Sequence, residues 1–97
     1  MVTYITLAKL TDQGIRAIKD VTKRADMAKE VGQKFGVHMK DIYWTVGQYD
    51  LVTVCEAKDD ASMMAFGMAI SSAGNIRFEP MRAFSRGDMD GILAKVP

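Results

Sequence analysis

From Ile42 to Glu56 the chain carries two runs of β-branched and aromatic residues, Ile42-Tyr43-Trp44-Thr45-Val46 and Leu51-Val52-Thr53-Val54-Cys55-Glu56, on either side of Gly47-Gln48-Tyr49-Asp50. Strand formers flanking a loop that bears Gly and Asp spell a β-hairpin, and the other elements arrange themselves around it. Gly47 can take a positive φ at no steric cost, and the Asp50 carboxylate can accept bonds from nearby loop amides. A loop of residues 47–50 sets Val46 opposite Leu51. That register puts Ile42, Trp44, Val46, Leu51, Thr53 and Cys55 on one face and Tyr43, Thr45, Val52, Val54 and Glu56 on the other.

Before the hairpin, Val2 to Ala8 alternates as a strand whose two faces are both fairly apolar. Thr11 and Asp12 offer N-cap oxygens to a long helix, with Ile15, Ile18, Val21, Ala25, Ala28, Val31 and Phe35 forming a core-facing stripe and Gly36 closing the end. After the hairpin, Asp59 and Asp60 precede a second helix over Ala61 to Ala73. Its stripe is Met63, Phe66, Gly67 and Ile70, yet Met64, Met68, Ala65 and Ala69 make the rest of it apolar too, so it calls for cover on two sides. Gly74-Asn75 ends that helix. Ile76 to Ser85 gives a last strand that Pro80 assigns to an edge or a bulge, and Met89, Ile92, Leu93 and Val96 mark a short amphipathic helix able to close a pocket or dock on a neighbour.

Strand, helix, strand, strand, helix, strand is the order of an α+β, ferredoxin-like βαββαβ domain: a four-stranded antiparallel sheet with both helices on one face, here followed by a short C-terminal helix. Residues 1–97 form one domain. Apolar residues on both faces of the strands then imply that the free face packs on something, and a second copy of the sheet is the economical partner. The expected assembly is a homodimer or higher homo-oligomer.

Composition narrows the function classes. A formal charge of +1 offers no electrostatic pull towards nucleic acid or anionic lipid. The third strand, Leu51 to Ala57, lacks the aromatics on which an RNA-recognition sheet stacks bases, so no nucleic-acid partner is expected. The uncharged run Ala61 to Ile76 is too short and too polar at its end to span a membrane. A single cysteine, Cys55, and no charged-then-apolar leader make a reducing cytoplasm the expected compartment.

Tyr43-x-Thr45-x-Gly47-x-Tyr49-Asp50-x-Val52, followed by Glu56, Asp59-Asp60, Gly74-Asn75-Ile76-Arg77 and Arg82-Ala83-Phe84, resembles the GYD domain family. Lys58, Phe78, Pro80 and Met81 depart from the family's usual proline, threonine, threonine and leucine. The resemblance implies a small cytoplasmic ferredoxin-like protein similar to the dimeric α+β barrels, some of which are cofactor-independent monooxygenases, isomerases or haem proteins.

Glu56, inside an apolar strand and on the face of Tyr43 and Thr45, is the leading acid/base candidate, with Arg77 or Arg82 as its expected counter-ion. A structural ion pair is its plainer use. His38, the only histidine, is the second candidate, set against the plainer reading of a strand-edge side chain. Tyr43, Trp44, Tyr49, Asp50, Arg77 and Arg82 are the candidate ligand-binding residues. Tyr43, Trp44, Glu56 and Arg82 are expected to border a pocket for a small organic molecule, apolar or aromatic, with Arg82 holding an anionic oxygen. Packing explains the aromatics, and loop geometry explains Asp50, without any ligand. No His/Cys/Asp cluster suggests a metal, the methionines read as adaptable packing, and no cofactor is expected. The alternative to a small-molecule protein or enzyme is a non-catalytic oligomeric sensory, regulatory or interaction module.

Overall fold

A computed structural model describes all 97 residues. β1 (Val2–Leu10) leads into α1 (Asp12–Arg16), a 3-10 turn (Ile18–Asp20) and α2 (Val21–Lys34). The hairpin strands β2 (Val37–Trp44) and β3 (Leu51–Ala57) follow, then α3 (Asp60–Ser72), β4 (Ile76–Ala83) and α4 (Arg86–Leu93). The four strands make one antiparallel sheet in the order β2-β3-β1-β4. The fold is the expected α+β, ferredoxin-like one, with α2 and α3 on the same face and Pro80 on an edge strand.

Burial alternates along the two central strands. Tyr4, Thr6 and Ala8 of β1 and Leu51, Thr53, Cys55 and Ala57 of β3 are buried beneath the helices, whereas Ile5, Leu7, Val52, Val54 and Glu56 point away from them. The closed end of the core joins Tyr4, Val37, Cys55, Ala57, Met63 and Phe66. Asp59 caps α3 by accepting from the Ser62 amide at 2.8 Å. Ser85 and Asp88 form a reciprocal capping box at the start of α4. Gly36, at φ +72, turns the chain out of α2.

Two expectations are corrected, and one irregularity is added. Trp44, not Val46, lies opposite Leu51, so the connection spans residues 45–50 and Val46 is fully exposed. The Thr45 amide donates to the Asp50 carbonyl at 2.9 Å, closing the hairpin two residues early. A slip of two preserves the faces of Ile42, Trp44, Leu51, Thr53 and Cys55, because side chains alternate with a period of two. The long first helix is broken at Ala17: the Thr11 hydroxyl caps α1 alone, and Ile15 and Ile18 are left about half exposed. Finally, β2 carries a bulge at Lys40, between Met39 opposite Cys55 and Asp41 opposite Val54, which lets Val37, Met39, Ile42 and Trp44 share the helix-covered face.

Candidate functional site

Tyr49 and Asp50 tie the hairpin to the rest of the sheet. Gly47, at φ +140, allows the turn. The Asp50 carboxylate accepts from the Leu10 amide at 2.8 Å, while the Asp50 amide donates to the Ala8 carbonyl at 2.9 Å. The expected acceptor role holds, but the amide it satisfies belongs to β1 rather than to the loop. Tyr49 lies under the Lys9 ammonium, 5.3 Å from the ring centre, and its hydroxyl donates to Glu79 of β4 at 3.0 Å. That hydrogen bond, with the Glu79 charge behind it, raises the Tyr49 pKa.

The face of the sheet opposite the helices is bare. Across its middle, register aligns Val54, Ile5 and Met81 in one row and Tyr43, Val52 and Leu7 in the next. Ile5, Tyr43 and Met81 are exposed. At one end of this patch His38 faces Glu56 across the β2–β3 ladder, and the bulged Lys40 reaches Glu56 at 3.2 Å. At the other end lie Lys9, Arg77, Glu79 and Tyr49. The counter-ion of Glu56 is thus Lys40 rather than Arg77 or Arg82.

Arg82 is on the other side of the sheet. It pairs with Asp60 at 3.7 Å, and Asp60 accepts a short hydrogen bond from the buried Tyr4 hydroxyl. Burial first, and that bond second, push the Tyr4 pKa up to about 12. Tyr43 and Arg82 occupy opposite edge strands and opposite faces, three strand spacings or about 14 Å apart across the sheet and three residues apart along it. The four residues expected to border one pocket are therefore distributed: Tyr43 and Glu56 on the bare face, Arg82 near the start of α3, and Trp44 in a cleft between the helices. Cys55 is fully buried, and burial raises its thiol pKa.

That cleft is lined by residues of both helices and of the sheet. Phe66 packs against Gly32 and Phe35, and beside it lies the cleft's space of about 270 Å³. Alanines face it from both helices, Ala25 and Ala28 from α2 and Ala69 and Ala73 from α3, with Trp44 and Phe78 rising from the two edge strands. Arg24 is the one charged residue in the lining.

Residues 4–93, nearly the whole chain, match the GYD domain. The chain belongs to the GYD domain family. A relative in Thermus thermophilus, the "Glutamine synthetase and cystathionine beta-lyase binding protein", is 30% identical over 90 residues, which cover 92% of this chain and 95% of the relative. Two crystal structures share the fold at 22% identity. TTHA0845, also from Thermus thermophilus, superposes with a TM-score of 0.57 over 88% of this chain and 95% of its own, and FFRP-DM1 with 0.59 over 87% and 100%. The Gly-x-Tyr-Asp signature that names the family is, in this GYD domain, a stitch between the hairpin loop, β1 and β4.

Sequence reasoning did not single out the cleft or Arg24. The signal was present as small residues at core-facing positions of both helices, since Ala25, Ala28, Ala69 and Ala73 cannot fill the space that their backbones enclose.

Proposed function

We propose that this GYD domain is a non-catalytic interaction module of the cytoplasm that pairs with a second copy of itself through the bare sheet face and docks on a larger folded protein. The apolar patch of Ile5, Leu7, Val52, Val54, Met81 and Tyr43 carries the proposal, because nothing else in the chain covers it. Strand spacing and rise give the face about 19 by 23 Å in projection. This is short of the roughly 800 Å² per partner of a standard interface, so α4, whose Met89, Ile92 and Leu93 are all exposed, would extend the contact. Pairing through the sheet leaves the helices outward, where Met27, Met64 and Met68 are each more than half exposed and offer adaptable apolar surface to a protein partner. The name of the Thermus relative supports a protein partner, and glutamine synthetase and cystathionine beta-lyase are the first candidates.

A catalytic reading through Glu56 has less support, since its carboxylate is paired to Lys40 on the bare face and Arg82 lies on the other. Light scattering of the purified protein, alone and with each of the two enzymes from the same organism, tests the proposal. The expected result is twice the 10.7 kDa chain mass alone and a heavier complex with one of the enzymes, with Val54→Asp lowering the free protein to a monomer. A wild-type monomer removes the self-pairing, and the absence of a complex with either enzyme removes these two partners.

A further inference from the structure

The cleft between α2 and α3 has a composition that belongs to neither the dimer face nor a finished core. Its lining is apolar except for Arg24, Thr53 and Asn75. Apolar groups that line a cleft of this size gain partner atoms from any apolar body that fits it. Arg24 is half-buried at its edge. Its Nη1 donates to the Ala17 carbonyl at 2.8 Å and its Nη2 to the Gly14 carbonyl at 3.3 Å, so two of the five guanidinium donors are used, both on neutral oxygens. No carboxylate neutralises it, since the chain's ion pairs are Lys40–Glu56 and Arg82–Asp60. An apolar cavity with one uncompensated guanidinium at its edge fits a molecule with a hydrocarbon body and an anionic head.

We propose that the cleft binds a medium-chain alkyl carboxylate, its tail lying among Ala25, Ala28, Ala69, Ile70 and Phe78 and its head on Arg24. The cleft's volume sets the tail lengths to test first. At about 30 Å³ for each water-sized group, 270 Å³ holds roughly nine, the size of an octanoate or decanoate tail. The site is independent of the sheet face used for pairing, so loss of either property leaves the other standing.

Trp44, the only tryptophan, lines the cleft and reports on its occupancy directly. Titrating the full chain with hexanoate, octanoate, decanoate and dodecanoate below their micellar concentrations should shift Trp44 emission. Affinity should rise about fourfold per methylene until the cavity is full near decanoate and then level off. Decanol should bind about tenfold more weakly than decanoate, and decyltrimethylammonium more weakly still. Ala69→Leu, which adds three carbons to the cleft, should move the levelling-off from decanoate to a tail about three carbons shorter, while Arg24→Gln should erase the preference for decanoate over decanol. If Arg24→Gln fails to fold because α1 loses its tie, the head-group series on the unaltered protein decides the question alone. Absence of any Trp44 response up to millimolar decanoate overturns the proposal. So does equal binding of the three head groups, or affinity that climbs past dodecanoate without levelling. So too does displacement of a second copy or a bound enzyme as the ligand enters, which would give the cleft to a protein.

Discussion

Replacing Asp50 by alanine separates the structural use of the family signature from a recognition use. The substitution removes the acceptor of the Leu10 amide, a bond of 2.8 Å, and leaves the backbone bonds of residue 50 to Ala8 and Thr45 in place. Hydrogen bonds to a charged group contribute about 1.5–3 kcal/mol. Because Leu10 and Asp50 are only half-buried, water can reach the freed amide and offset part of the loss, so the expected cost is about 1–2 kcal/mol. For a domain of this size each kcal/mol moves the midpoint by about 4–8 °C, which puts the drop in Tm at roughly 5–15 °C. Urea unfolding followed by circular dichroism should show a lower midpoint at unchanged m-value. Asp50→Asn keeps a neutral acceptor and should lose about half as much. An unchanged midpoint in Asp50→Ala refutes the argument, and if partner binding fails in that variant, Asp50 becomes a contact residue.

Other perturbations have equally definite outcomes. An ultraviolet titration should show one phenol titrating near pH 12, absent in Tyr4→Phe. The folded pKa of Tyr4 lies above the ordinary tyrosine value of 10.0. The unfolded chain therefore releases the proton first, and stability should fall from about pH 10 to about pH 12 in the parent and not through this group in Tyr4→Phe. Gly14→Ala should destabilise by about 1–3 kcal/mol despite alanine's better helix propensity. The new methyl would overlap the Asn75 carbonyl oxygen, which is held in place by the Thr11 amide at 3.0 Å, and a midpoint at or above the parent's would contradict this contact. Glu56→Gln should cost less than about 1 kcal/mol, because its Lys40 partner is more than half exposed and the pair lies at one end of the apolar patch rather than in its middle, and a larger loss would mean that the pairing of two copies buries this ion pair as well.

What could be read from the chain was whatever depends on periodicity over many residues. The β1 and β3 faces, the α3 stripe and the order of elements all follow from alternation or helical spacing sustained along a whole element, so even a two-residue error in the hairpin register left Ile42, Trp44, Leu51, Thr53 and Cys55 on their proper face. What could not be read depends on single residues breaking a period. The Lys40 bulge is one extra residue in β2, and it redirects a lysine to Glu56 that no spacing rule placed there. The break at Ala17 is another: Ile15, Ile18 and Val21 continue the helical spacing through it, but the Thr11 cap and the Arg24 bonds to the Gly14 and Ala17 carbonyls hold α1 as a separate turn.

The scattering of the candidate site residues has the same origin. Polar and aromatic side chains in apolar strands, as at Glu56, Tyr43 and Arg82, suggest convergence, but a four-stranded sheet has two faces and two edges, and convergence requires parity and strand order to agree. Parity puts Glu56 and Tyr43 on the bare face, whereas pairing opposite Tyr4 puts Arg82 beneath the helices. The same sheet order brings Trp44 of β2 and Phe78 of β4 to opposite rims of one cleft, joined across its roof by the two helices. An apolar cleft and a bare apolar face in a chain with only 13 buried residues lead to one physical expectation. With so small a buried core to offset the entropy of ordering the chain, covering either surface should stabilise this domain. A rise in Tm with protein concentration would locate that stabilisation at the sheet face, and a rise with decanoate at fixed protein concentration would locate it at the cleft. A midpoint indifferent to both would show that the half-closed core suffices by itself.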